Sequence, residues 1–204
     1  MAVSDHSVYS GNLTGGSLLV RESRIVARML VAGDSPDDIQ SRIMDQNLFQ
    51  NDSAATTRKY CRLIFSRFSH VTPEQLHIVA CGSDESAALM LLAVVLKTYP
   101  IVRDFVDEVL CDKARSFDTH LEKKDWTRFL EQRETIDPDV KRWTESSRKK
   151  IGQVIIRMLS EAGLLSDTRH MQIQFPNVPF DVSDSLLQAV DASVLECLRL
   201  GKAA

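Results

Sequence analysis

The sequence predicts a mainly α fold: a helical bundle with a helix-turn-helix-like N-terminal part and a winged-helix-like C-terminal part that carries a short β wing. Three observations predict it. Apolar residues recur at three- and four-residue spacing through most of the 204 residues. The eight glycines and six prolines are few, so long helices go uninterrupted. Only one stretch, Met171 to Phe175, alternates apolar and polar residues at strand period. Pro100 marks a break, and the reading divides the chain into 1–99 and 100–204.

The first helix grows out of a glycine-rich lead-in (Gly11, Gly15, Gly16) and runs to Gly33, a residue suited to the left-handed position after a helix. At 100° per residue Arg21, Arg24 and Arg28 fall on one ridge of it, while Leu18, Leu19, Ile25, Val26, Met29 and Leu30 cover the opposite flank. Glu22 projects into that apolar flank, where an unpaired carboxylate is costly, so either a cation from another helix stands beside it or it sits at the rim with its head in water. Arg67 is the candidate cation. Ser35 and Pro36 open a second helix near 36–46 that buries Ile39 and Ile43, with Asp37 and Asp38 at its positive end.

Ser53 caps a third helix to about Phe68. Its apolar flank is Tyr60, Leu63, Ile64 and Phe68; Arg58, Lys59 and Arg62 share the opposing sector. Three short helices in this order have the layout of a helix-turn-helix core, although the connection before the third exceeds the usual tight turn. Helices near 73–81 and 84–97 follow. The run Ala87 to Leu96 is ten residues long, half of what a bilayer requires, and reads as a buried core helix. A sixth helix spans about 101–117. Trp126, Phe129 and Leu130 then recur at helical spacing as core anchors. A basic helix follows with Ile151, Val154, Ile155, Met158, Leu159 and Ala162 on one flank and Lys149, Lys150, Gln153 and Arg157 on the reverse. With 170–175 as the wing strand, that helix gives the winged layout. A last helix, about 183–200, places Leu186, Leu187, Val190, Val194 and Leu198 inward.

The net charge of −3 conceals polarity. Residues 69–140 hold 8 Lys+Arg against 14 Asp+Glu, whereas 141–170 hold 7 against 3. Basic helical segments on an otherwise acidic chain point to an anionic polymer as partner. Metal and cofactor chemistry find no support. The four cysteines are widely spaced, as in reduced thiols of a cytoplasmic protein, and His77 and Cys81 lack the second pair a metal requires. No nucleotide-loop, metalloprotease or nucleophile-elbow motif occurs, so no enzyme is expected. The start MAVSDHS has neither the basic nor the apolar region of a signal peptide.

The segments Y-S-G-N-L-T-G-G at 9–16, R-E-S-R-I-V-A at 21–27, N-L-F-Q at 47–50 and S-A-A-T-T-R at 53–58 resemble the BrxA proteins of bacterial BREX phage-defence systems. S-E-A-G-L-L at the end of the late basic helix fits as well. The resemblance implies a small, mostly helical cytoplasmic protein, similar to the NusB antitermination fold, and it brings no catalytic residue. The expected activity is double-stranded DNA binding through Arg21, Arg24, Arg28, Arg58, Lys59, Arg62, Lys149, Lys150 and Arg157, with Gln153 placed to reach a base edge. Two alternatives stand beside it: RNA binding by similarity to NusB, and an assembly adaptor docking other BREX proteins through the acidic middle. A homo-oligomer and those BREX proteins remain the protein partners left open.

Overall fold

The computed structural model describes residues 9, 13 and 15–201. Gly11 of the lead-in lies outside the described residues. The fold is mainly helical. Its helices are α1 (Val20–Val31), α2 (Pro36–Asp45), α3 (Ala54–Phe68), α4 (Pro73–Cys81), α5 (Asp84–Thr98), α6 (Pro100–Phe105), α7 (Asp112–Arg115), α8 (Lys123–Ile136), α9 (Pro138–Lys141), α10 (Glu145–Glu161), α11 (Phe180–Gln188) and α12 (Ala192–Leu198). A π-helical stretch, Val106–Cys111, joins α6 to α7 without a break.

Local chemistry sets most boundaries. Ser35, Ser53 and Ser83 each accept a backbone N–H three residues on, and Pro36 occupies the first turn of α2. Thr72 and Gln75 cap α4 reciprocally. Gly33, at φ 91°, ends α1 where a side chain would be strained.

α5 is the axis of the packing. Every residue from Ser86 to Leu96 is buried, as expected for a core helix. Helices α1, α3, α4 and α6 pack on it, and α10, α11 and α12 return from the C-terminal part of the chain to do the same. Lys97 fixes that return with a 2.6 Å ion pair to Asp191. No single helix among the described residues is long and apolar enough to cross a membrane. Trp126, Phe129 and Leu130 are buried, and the rings of Trp126 and Phe129 each meet Phe105 edge-on at 5.3 Å.

Three expectations change. No strand or sheet forms among the described residues, so the wing is not confirmed; 172–173 instead makes two isolated bridges, Gln172 to His120 and Ile173 to Leu165. Ile173 donates its N–H to Thr119 O at 2.7 Å; on the other side Gln174 donates to Leu164 O at 2.9 Å and Ser166 donates to Gln172 O at 2.8 Å. One bridge on each side serves the backbone without building a ladder. The last helix is two helices. The chain turns at Val190, where φ is 60°, and this leaves Val190 and Leu187 exposed rather than inward.

The third change concerns Glu22, which does not meet Arg67. Arg67 is buried and donates Nη1 to Ser17 O at 2.8 Å and Leu18 O at 3.3 Å, and Nη2 to Gly16 O at 3.4 Å. Desolvation pushes its pKa down, countered by the Tyr99 hydroxyl and the Glu161 carboxylate. Glu22 stays at the rim, 3.8 Å from Arg21, and Ser23 takes the buried place on α1. The guanidinium instead satisfies lead-in carbonyls at Gly16, Ser17 and Leu18 that would otherwise be buried without a donor.

The lead-in is thereby a strap. Tyr9 is buried, its N–H donating to Asp137 at 3.1 Å and its hydroxyl to Asp104 at 2.6 Å. Leu13 and Leu18 are fully buried, and the Leu18 N–H donates to Glu161 at 2.8 Å.

Candidate nucleic-acid interface

The structure divides the sequence-predicted cations into two kinds. On α1 the arginines are engaged with their own protein. Arg21 donates to Phe49 O and Leu48 O at 3.1 and 3.2 Å. Arg24 donates to Gly82 O at 2.8 Å and pairs with Asp84; Arg28 Nε donates to Ala80 O at 3.0 Å. Those carbonyls end α4, where backbone acceptors have no helical partner and the dipole favours a cation. Arg24 and Arg28 thus tie α1 to the end of α4, and Arg21 ties it to the connection between α2 and α3. The three arginines also line one cleft of about 640 Å³ with Asp84 and Glu161.

On α3 the pattern is different. Thr57, Cys61, Ile64 and Phe68 face inward, which turns Arg58, Lys59 and Arg62 outward; all three are exposed, with no hydrogen-bond or ion-pair partner among the described residues. On α10, Ile151, Val154, Ile155, Met158 and Leu159 are buried, and Lys149, Lys150, Gln153 and Arg157 are exposed and equally without partners among the described residues. Each set lies together on one helix.

Arg148 belongs to the same basic segment and is an internal staple. Its guanidinium pairs with Glu134 and donates to Trp143 O at 3.0 Å and Val140 O at 3.2 Å, holding α10 to α8 and α9.

A cavity of about 430 Å³ lies between α8 and α10. Its apolar wall is Trp126, Leu130, Gly152 and Ile156, and Lys149 and Gln153 reach it from the exposed face of α10. Trp126 Nε1 donates to Arg148 O at 3.0 Å, which fixes the indole. A Cβ on Gly152 would stand 2.6 Å from the indole, so glycine is what lets α8 and α10 approach here. The cavity was not anticipated from the sequence. The available signal was Gly152 itself, a glycine in the middle of a helix with no turn to make.

Against this geometry, the family model for BrxA matches residues 7–189. The chain belongs to the BrxA family. The match spans the Tyr9 strap, both exposed basic ridges and the cavity between α8 and α10. The chain is 29% identical over 192 residues to the BREX protein BrxA of Paramagnetospirillum magneticum, covering 94% of this chain and 96% of that one. It is 27% identical over 172 residues to the BREX protein BrxA of Escherichia coli O9:H4 (strain HS), covering 84% and 81%. The crystal structure of an uncharacterized protein from Magnetospirillum magneticum superposes with a TM-score of 0.83 at 28% identity, over 94% of this chain and 98% of that one. No group of three His, Cys, Asp or Glu side chains suited to a metal occurs among the described residues.

Proposed function

We propose that this BrxA-family protein is a non-catalytic accessory factor of a BREX bacteriophage-defence system, binding double-stranded DNA with weak sequence preference. The observation that carries the reading is the pair of unpartnered cation sets, Arg58–Lys59–Arg62 and Lys149–Lys150–Arg157. Cations already bonded inside a protein gain little from a phosphate, whereas exposed free ones release counterions from DNA on binding. Phosphate contacts of this kind position a protein without reading bases. Gln153, between Lys149 and Arg157, is the uncharged side chain placed for a base edge. In the helix-turn-helix reading, α3 presents Arg58 and Lys59 from its N-terminal half. Arg21, Arg24 and Arg28 are secondary contributors, since each already donates to a backbone carbonyl of its own protein.

Retention of labelled duplex against salt concentration tests this. With about four to six phosphates contacted, log affinity falls against log salt with a slope near −4 to −5. Replacing Arg58, Lys59 and Arg62 together by alanine flattens the slope by up to about 3, and the Lys149, Lys150 and Arg157 triple tests the other ridge in the same way. A wild-type protein that fails to retain duplex at low salt ends the reading, and an RNA duplex that outcompetes DNA redirects it to RNA. The adaptor reading has its own observation: Phe117, Phe180 and Val190 are 91%, 82% and 89% exposed, apolar groups of the sort partners cover. A pull-down of other BREX proteins, with and without those side chains, tests it.

A further inference from the structure

The cavity between α8 and α10 has a polarity of its own. Its wall is apolar and held in place: Trp126 is pinned by its bond to Arg148 O and packed against Phe105 and Phe129. At its rim stand two ammonium groups, Lys123 and Lys149, and two carboxylates, Glu131 and Glu145. All four are exposed, and none has a hydrogen-bond or ion-pair partner among the described residues. Opposite charges share the mouth of one small cavity and leave each other unpaired. Gln153 adds an amide that both donates and accepts.

From these residues we infer that the cavity receives one unstacked nucleotide of a nucleic-acid strand, base inside and phosphate at the lysines. The inference rests on the nucleic-acid reading of the α10 face and extends it from phosphate contact to base recognition. Each part of a nucleotide finds its complement. The flat ring takes the apolar wall, and the volume lies within the range of small-ligand sites. An exocyclic amine on cytosine, adenine or guanine donates to a rim carboxylate, as acidic side chains accept from cytosine in grooves. The phosphate takes Lys149 or Lys123. Lys150 and Arg157 continue the cationic face of α10 for the neighbouring phosphates of the strand. An apolar peptide side chain would use the wall and leave both carboxylates without a role. Thymine has no exocyclic amine, so the cavity should discriminate against it.

The experiment measures binding of short single-stranded oligodeoxycytidine and oligothymidine, of deoxycytidine monophosphate, and of a duplex, to the full chain. The expected result is oligodeoxycytidine bound about tenfold or more tightly than oligothymidine, the scale of one good base contact. Thr127→Trp, at an exposed lining position, fills the mouth and removes that preference while leaving thermal unfolding and duplex retention unchanged. Glu131→Met together with Glu145→Met removes both carboxylate acceptors at similar side-chain length and also erases the preference, which holds the test open should the tryptophan variant fold poorly. Equal binding of the two oligonucleotides overturns the inference, as does a preference that survives both variants. Binding of the mononucleotide without the oligonucleotide overturns it too, and assigns the cavity to a free nucleotide. Duplex retained with no cytidine preference sinks this inference alone. Loss of duplex retention with the preference intact sinks the duplex reading and leaves the cavity.

Discussion

Helices α1 and α3 both carry a ridge of three cations opposite an apolar flank, and the fold uses them differently. The α1 ridge lies against the end of α4, so Arg24 and Arg28 find the carbonyls of Gly82 and Ala80. The α3 ridge is exposed, and Arg58, Lys59 and Arg62 have no hydrogen-bond or ion-pair partner among the described residues. Spacing along a helix reports which residues share a face. What that face meets depends on tertiary neighbours, and only those decide whether a cation is a structural tie or an open contact.

The largest expected effect comes from the most engaged cation. Arg67→Ala removes the donors from three lead-in carbonyls and opens a buried space, and should destabilise by roughly 3–5 kcal/mol in chemical denaturation. A change below about 1 kcal/mol would show that the strap holds without it. Arg24→Ala should cost about 1–2 kcal/mol through the lost Gly82 and Asp84 bonds, with a small effect on duplex retention. If it weakens DNA binding as much as Arg58→Ala, the division between engaged and free cations fails.

Tyr9 sharpens the comparison from the strap's other end. Burial, then the Asp104 carboxylate, pushes its hydroxyl up from 10.0 to about 12. The raised value favours the neutral phenol in the folded state. Its contribution to stability is therefore full below the unfolded value near 10 and lost as pH rises from there toward 12. Tyr9→Phe should weaken the protein at neutral pH and remove this part of the alkaline fall, as read by denaturation at a series of pH values. The smallest effect belongs to the free set: Arg58→Ala should alter stability by less than about 0.5 kcal/mol while lowering the salt slope of DNA binding by up to about 1.

Much of the N-terminal architecture was legible because it is written in local chemistry. Ser35-Pro36, Ser53, Thr72-Pro73 and Ser83 announce helix starts by what their side chains and rings do within three residues. The break between α11 and α12 was not legible, since no glycine or proline marks it and Leu186, Val194 and Leu198 keep a helical rhythm across it. Met171–Phe175 has the alternation of a strand but sits between two short neighbours that offer one bridge each, so the pattern was real and the ladder was not. At the candidate interface, the exposure of α3 and α10 followed from amphipathicity. The diversion of Arg21, Arg24, Arg28, Arg67 and Arg148 to backbone carbonyls did not, because a carbonyl acceptor leaves no mark in the sequence.

The strap also has a consequence for synthesis. A ribosome makes Tyr9 long before Asp104 and Asp137, which receive it, and Leu18 long before Glu161. The lead-in therefore has two classes of anchor: Arg67, 49 to 51 residues on, emerges with α3, whereas the partners of Tyr9 and of the Leu18 N–H lie 95, 128 and 143 residues away. Contacts so distant along the chain close late and slowly. The Tyr9 end of the lead-in should thus dock after its Arg67 end, an order that pulse-labelling hydrogen exchange during refolding would read.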